Sequence, residues 1–275
     1  LLFSKYNSSG VLQWSRSLSS ISARAAISLD TNGYIYVAGG TGTAISWAKY
    51  NPTPTIQTQK YITNSSTQTV FYGNAVDSSS NSYLVGRDAS NKLYLAKIDS
   101  SGTFVYDKTL TGGGGGNHVG VTLDSSGNIY ALGTVSVSNA QFSLVKYDST
   151  GTLQWQKRID SANPTYGSSV TTDSSGNVFI SGQEYNGGSN CGILIKLDSS
   201  GAILWQKRLR DSAMQDIVFK SVTTDSSGNS YVAGYSNYPY RVIVVKYNSS
   251  GTLQWQRTLA VSSSQTCFGE SIKCD

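Results

Sequence analysis

The chain has 275 residues, of which 38% are apolar and only 13% charged, with 28 glycines and a net charge of +5. So little charge excludes a disordered polyelectrolyte and a surface built on ion-pair networks. No apolar run approaches the roughly 18–20 residues of a membrane-spanning helix, and the basic residues are spread through a repeat rather than gathered in the stripe that nucleic-acid binding needs.

In chain order, a ten-residue motif first appears as KYNSSGVLQW (Lys5–Trp14). A second copy starts at Lys49–Tyr50 and departs into NPTPT (Asn51–Thr55), with Thr58 where tryptophan is expected and Trp47 nearby. The later copies are KIDSSGTFVY (Lys97–Tyr106), KYDSTGTLQW (Lys146–Trp155), KLDSSGAILW (Lys196–Trp205) and KYNSSGTLQW (Lys246–Trp255). The lysines lie 44, 48, 49, 50 and 50 residues apart. A second motif alternates with the first: LDTNGYIYVAGG (Leu29–Gly40), VDSSSNSYLVG (Val76–Gly86), LDSSGNIYALG (Leu123–Gly133), TDSSGNVFISG (Thr172–Gly182) and TDSSGNSYVAG (Thr224–Gly234).

Each Asp-Ser-Ser-Gly stands between two runs rich in β-branched and aromatic residues. The Asp or Asn side chain caps the turn, and glycine takes the positive φ of a type I turn with a bulge. The repeat of about 49 residues therefore holds two hairpins and four strands, a to d. In the best-defined copy the spacing predicts a over about Ser168–Asp173, b over Val178–Gly182, c over Gly192–Leu197 and d over Ile203–Leu209. The c runs, Ile193–Ile195 and Val242–Val245, do not alternate, so both faces of each sheet are covered. Four-stranded antiparallel sheets repeated at this period and packed face to face predict an all-β fold, a β-propeller of six blades with seven as the alternative.

The expected boundaries are strands c and d within 1–18, full blades over about 24–62, 73–110, 118–159, 167–209 and 217–259, and a strand a at 269–275, where GESIKCD aligns with GSSVTTD (Gly167–Asp173). One blade is thus split between the termini and lacks strand b. Together with a start at Leu1, this predicts a single propeller domain that is a segment of a longer chain, with an imperfectly closed ring as the alternative. Trp14, Trp155, Trp205 and Trp255 are expected to wedge between blades. Burying such a ring contributes up to roughly 4–6 kcal/mol before entropy costs.

The a–b and c–d turns are nearly identical from copy to copy, whereas the d–a and b–c connections diverge. Divergent connections are where recognition can be placed. They include 111–118 (TGGGGGNH), 160–167 (DSANPTYG), 183–191 (QEYNGGSNC), 210–217 and 235–240 (YSNYPY). Tyr166, Glu184, Tyr185, Asn186, Asn190, Tyr235, Asn237, Tyr238 and Tyr240 are the candidate binding residues, suited to protein or sugar contacts. No catalytic residue is proposed. His118 is the lone histidine and follows five glycines, and 112–116 lacks the Gly-Lys-Ser/Thr ending of a phosphate loop. One carboxylate per turn is too few for calcium, so no metal or cofactor is expected. Of the cysteines, Cys191, Cys267 and Cys274, the last two can pair if neighbouring elements bring them together; a free buried thiol is the plainer reading for at least one.

Taken together, the two motifs resemble the β-propeller repeat family with units of the form DSSGNVYVAGY…VKYDSSGTLQWQRTL, matched most closely by Thr224–Leu259. The resemblance implies a non-enzymatic structural or adhesive module of the kind found in bacterial surface proteins and in tailed-phage virions. It implies partners among virion or surface subunits, or a host glycan or receptor, and a purely architectural element as the alternative. Asp148-x-x-Gly151-x-x-x-Trp155 is also similar to the tryptophan-docking motif of quinoprotein dehydrogenases. Their vicinal cysteines are not seen in this sequence, so the shared motif is expected to be a packing device rather than a sign of quinoprotein or glycan-active chemistry.

Overall fold

The computed structural model describes residues 2–18, 25–40, 44–63, 70–114, 120–136, 140–210, 215–238, 240–260 and 268–274. The chain divides into two compact units, Leu1–Gly115 and Gly116–Asp275. The first unit opens with a hairpin, β1 (Leu2–Tyr6) and β2 (Leu12–Ser17). Two four-stranded sheets follow. One is β3 (Ala25–Leu29), β4 (Ile35–Gly40), β5 (Ile45–Tyr50) and β6 (Ile56–Ile62); the other is β7 (Val70–Val76), β8 (Ser82–Arg87), β9 (Lys92–Ile98) and β10 (Phe104–Gly114). The second unit holds three more. They are β11 (Gly120–Leu123) to β14 (Leu153–Ile159) through β12 (Ile129–Ser136) and β13 (Ala140–Tyr147); β15 (Thr165–Thr172), β16 (Val178–Asn186), β17 (Ser189–Leu197) and β18 (Ile203–Leu209); and β19 (Gln215–Thr224), β20 (Ser230–Tyr238), β21 (Tyr240–Tyr247) and β22 (Leu253–Ala260). Every sheet is an antiparallel meander in chain order. The described residues thus form five complete blades and a two-stranded half-blade, as the period predicts.

The turn chemistry is as expected. In the β11–β12 turn Gly127 has φ 77° and donates to the Asp124 carbonyl at 3.0 Å. Asp124 Oδ1 accepts the N–H groups of Ser126 and Asn128, both at 2.9 Å. The glycine closing strand b has a different role. Where strand a carries a bulge, a Cβ on Gly86, Gly182 or Gly234 would stand 2.1, 2.1 and 2.0 Å from the carbonyl oxygens of Val70, Tyr166 and Val218. Only glycine lets b lie against that bulge.

The core lies between sheets. Tyr130 and Leu132 of β12 pack with Val178 and Ile180 of β16 and with Ile193 and Ile195 of β17. Phe179 and Leu194 pack with Phe219, Ile243 and Val245 in the same way. Strands β5, β9, β13 and β17 are buried almost throughout, which is why they read as unbroken apolar runs. In β21 only alternate residues from Ile243 onward are fully buried, because that sheet has a neighbour on one face only among the described residues of its unit.

Two expectations need correction. Residues 268–274 contain no strand. They nevertheless occupy the place of a strand a: the Ile272 and Cys274 N–H groups donate to Ser221 Oγ and Thr223 Oγ1 at 3.2 and 3.4 Å. With no b strand among the described residues to pair with, the segment has no ladder to join. The divergent b–c connections, expected as loops, are mostly strand. β16 and β17 run on to Asn186 and Ser189 and pair throughout. Gly187 and Gly188, at φ 60° and 142°, supply the tight turn.

Candidate functional site

The tryptophans fix the junctions. Trp155 and Trp205 each donate from Nε1 to a turn of the following blade, to the carbonyls of Ser199 and Ser249 at 3.3 and 3.2 Å. A Cβ on Gly201 or Gly251 would meet those same rings at 3.2 and 2.9 Å, so the turn glycine is also the seat of the ring. Trp14 packs edge-on to Phe3, 5.8 Å between centroids, beside Tyr50. Trp255 lies 6.1 Å from Tyr231 of its own sheet. Where Thr58 replaces the tryptophan, Trp47 fills the seat from strand c. It is fully buried, donates to Ser82 Oγ at 2.9 Å, and would meet a Cβ on Gly102 at 2.8 Å.

The turn end of each blade carries a second repeated set. The first-motif lysine lies over the ring that opens strand b, as Lys146 does over Tyr130 at 5.2 Å and Lys246 over Tyr231 at 4.9 Å. The tyrosine hydroxyl donates to the turn aspartate, Tyr130 to Asp124 Oδ2 and Tyr231 to Asp225 Oδ2, both at 3.1 Å. Tyr36–Asp30 and Tyr83–Asp77 repeat the bond at 2.9 and 3.0 Å. These groups satisfy one another and leave little for a ligand.

The opposite, variable end of the second unit is different. Glu184 is 2% exposed, in spite of its position in a segment expected as a loop. Arg208 grips it through Nε on Oε2, and its second guanidinium nitrogen reaches Oε1 at 3.0 Å. Ser161 Oγ donates to Oε1 at 2.5 Å, and Cys191 Sγ to Oε2 at 3.6 Å. The Arg208 bonds, with Ser161 adding to them, hold the Glu184 carboxyl down at about 2 in spite of burial. Burial pushes the Cys191 thiol up, which makes it a poor nucleophile. Gln141 bridges this centre to the d–a connection, donating to the carbonyls of Ser161 and Asn163 at 3.1 and 3.3 Å and accepting the Ser161 N–H at 2.8 Å.

The hairpin tip is built on that centre. Tyr185 is 45% exposed, and its N–H donates to the Pro164 carbonyl at 2.8 Å. Asn186 is exposed at the turn. The Asn190 backbone and side-chain N–H groups both reach Asp216 Oδ1, at 2.6 and 3.2 Å, which ties the tip to the next blade. Asp216 adopts φ 56°, unusual for a residue other than glycine. In that next blade Tyr235 and Tyr240 pack edge-on to Phe268, with centroids 4.7 and 6.3 Å apart, and Lys220 Nζ lies 5.7 Å from the Tyr235 ring. Phe268 is 48% exposed.

The sequence-based candidates thus fall into two groups. Tyr185, Asn186 and Asn190 share the hairpin tip above buried Glu184, with Tyr166 on the paired strand β15. Tyr235, Asn237 and Tyr240 belong to the β20–β21 hairpin, where Asn237 pairs with Tyr240. The Tyr238 side chain, His118 and Cys267 lie outside the described residues. Sequence reasoning missed Arg208, Ser161, Gln141, Asp216 and Phe268. Arg208 sits in a basic tract that repeats after each tryptophan, so only its pairing with a non-repeated acid marked it out. No cluster of three metal-ligating side chains occurs among the described residues.

A family model for the beta-propeller repeat matches residues 215–241. That stretch is thus similar to the beta-propeller repeat, and the four-stranded antiparallel sheets are of the β-propeller fold class. The fold of the chain is similar to that of a polysaccharide lyase, an ulvan lyase solved with a GlcA–Rha3S saccharide, at TM-score 0.61 and 10% identity over 90% of this chain and 71% of the lyase. Proteins of unknown function from Dyadobacter fermentans and Bacteroides caccae are similar too. The first has TM-score 0.60 and 11% identity over 86% of this chain and 82% of its own; the second has 0.57 and 10% over 91% and 86%. At such identities the likeness carries the fold alone. No curated protein sequence matches the propeller.

Proposed function

We propose that this propeller is a non-enzymatic interaction module of a virion or cell-surface assembly, and that it engages protein or glycan through the variable ends of its blades. The observation that carries the reading is the buried brace under an exposed tip: Glu184, Arg208 and Ser161 hold the β16–β17 hairpin while Tyr185 and Asn186 face solvent. Burying a charge is costly unless it is paired, and rigid presentation of an aromatic side chain lowers the ordering cost of binding. Glu184, held ionised far below neutral pH mainly by Arg208, is no proton donor there and serves as the brace of the hairpin.

The test is a glycan array and a pull-down from the native assembly with Tyr185→Ala, Tyr238→Ala and Tyr240→Ala. Loss of a partner bound by the unaltered propeller is expected, and full retention of every partner would rule the variable end out. A second reading, the architectural one, rests on the row of exposed aliphatics that opens strand d: Leu12, Ile56, Leu153, Ile203 and Leu253. If this row docks other subunits, Leu153→Lys and Leu253→Lys will impair assembly while the tyrosine variants assemble normally.

A further inference from the structure

Two Asn-Gly dipeptides occur in the chain, Asn32-Gly33 and Asn186-Gly187. The pair has a chemistry of its own. The backbone nitrogen that follows an asparagine can attack that residue's side-chain amide. Glycine has no Cβ, so it neither shields the nitrogen nor restricts the rotation that brings it in. In a folded chain the reaction further requires an amide open to water, a free asparagine side chain and a free N–H on the glycine.

The fold treats the two pairs differently. Asn32-Gly33 belongs to the β3–β4 turn. There the Gly33 N–H donates to the Asp30 carbonyl at 3.1 Å, and the Asn32 N–H donates to Asp30 Oδ1 at 2.9 Å. A Cβ on Gly33 would lie 3.6 Å from Pro52, so one side of this turn is covered. The attacking nitrogen is tied down at both neighbouring peptide units.

Asn186-Gly187 stands at the tip of the β16–β17 hairpin. Asn186 and Ser189 form the last rung of the ladder, and the chain turns through Gly187 and Gly188 beyond it. Asn186 and both glycines are exposed. A Cβ on either glycine would meet nothing within 4 Å. Among the described residues no group bonds the Asn186 amide or the Gly187 N–H. Glu184 and its partners brace the strand below the tip, and none of them holds the two reacting groups.

We propose that Asn186 is a site of spontaneous deamidation, which turns a neutral hairpin tip into an acidic one as the protein ages. The Gly187 nitrogen bonds to Asn186 Cγ, the Cγ–Nδ2 bond breaks, and the Gly187 proton leaves with Nδ2 as ammonia. The product is a cyclic succinimide. Water then opens the ring. Opening at Cγ gives aspartate; opening at the backbone carbonyl gives isoaspartate, in which the chain runs through Cγ. No electrons are exchanged, and water is the only co-reactant.

Each event adds one carboxylate to a chain of net charge +5. The new charge stands next to Tyr185 and, because side chains two apart share a strand face, on the same face as Glu184. Isoaspartate also lengthens the backbone at the last rung, where the two-glycine turn sets the register. The reaction needs no partner, so it stands or falls apart from the reading of the tip as a contact surface.

The test is peptide mapping by mass spectrometry, with enzymatic methylation of isoaspartate as a second readout. It compares the folded 275-residue chain with the same chain in urea, both aged at neutral and mildly alkaline pH. In urea the two dipeptides should convert at similar rates, because sequence alone then decides. In the folded chain Asn186 should convert at least about tenfold faster than Asn32, the factor that one hydrogen bond of ordinary strength imposes on local opening. Both aspartate and isoaspartate should form at Asn186, faster at the higher pH, since the attacking nitrogen must lose its proton. Equal rates at the two sites in the folded chain, the reverse order, or an Asn186 that stays an amide while the chain in urea converts would each overturn the proposal. Aspartate without isoaspartate would overturn the ring-closing route, because direct hydrolysis of the side-chain amide gives aspartate alone.

Discussion

Lys196 Nζ stands 3.4 Å from Asp173 Oδ2, both side chains almost wholly buried, in the blade whose strand b opens with Phe179 instead of tyrosine. In the other four complete blades a tyrosine hydroxyl meets the turn aspartate. Phe179 has no hydroxyl, and the lysine takes over. It still lies over the ring, at 4.9 Å, and also reaches the Ser249 carbonyl at 3.4 Å. One ring substitution is thus balanced by a cation that the motif already carries.

Lys196→Ala should therefore destabilise the second unit by about 3 kcal/mol, because it strands a buried carboxylate. Adding Phe179→Tyr to that variant should return about 1 kcal/mol, the net worth of one hydrogen bond. Urea denaturation of the two single variants and the double variant measures the coupling. Strict additivity would show that the hydroxyl and the ammonium do not substitute for each other.

A second expectation concerns pH. The folded Glu184 carboxyl is depressed to about 2 from a starting value of 4.5. Its contribution to stability is therefore fully present above about pH 4.5 and fades as the pH falls toward 2. Urea midpoints of the unaltered chain and of Glu184→Gln, measured from pH 2 to 7, should differ at neutral pH and converge at the acid end. A gap that persists unchanged to pH 2 would mean that the charge contributes nothing.

The Trp47 seat is open to a swap experiment. Trp47→Leu removes the ring and leaves Ser82 Oγ without its donor, a loss of about 3 kcal/mol. Thr58→Trp alone should also destabilise, since the Thr58 methyl already lies 3.3 Å from where a Gly102 Cβ would be and Trp47 fills the remaining space. Combined, the two changes recreate the arrangement of the other junctions. The double variant should recover more than half of the loss in thermal denaturation scans.

Glycine substitutions separate two kinds of need. Gly182→Ala drives a Cβ into the Tyr166 carbonyl and should cost about 3 kcal/mol or more. Gly187→Ala meets nothing within 4 Å and bears only the cost of φ 60°, about 1 kcal/mol. Comparison of their thermal midpoints tests this ranking.

The turns, the sheet order and the doubly buried c strands were legible because each follows from a local rule: Asx-capped turns, period-two alternation and its loss. The Trp47-for-Thr58 exchange was half legible, since both residues stood out but their common seat did not. The variable end was harder to read. Asn, Gly and Ser in 183–191 signal a loop, yet pairing across a two-glycine turn makes the segment a strand, because cross-strand partners outweigh local propensity. Glu184 stood out as a candidate, but nothing local showed that it is buried. Its partners Ser161 and Arg208, and Gln141 that holds Ser161 in turn, come from three other strands or connections, a convergence that no single stretch of sequence displays.

The seat of Trp155 lies in a turn of the following blade, at Ser199–Gly201. The stretch that repeats in sequence and the stretch that melts together are therefore offset by half a blade. A fragment cut at the end of β14 would keep every strand of its blade and still lose the clasp that closes its outer edge. Grafting one blade between propellers would succeed only if the recipient supplies a small, left-handed residue at the turn where the ring comes to rest.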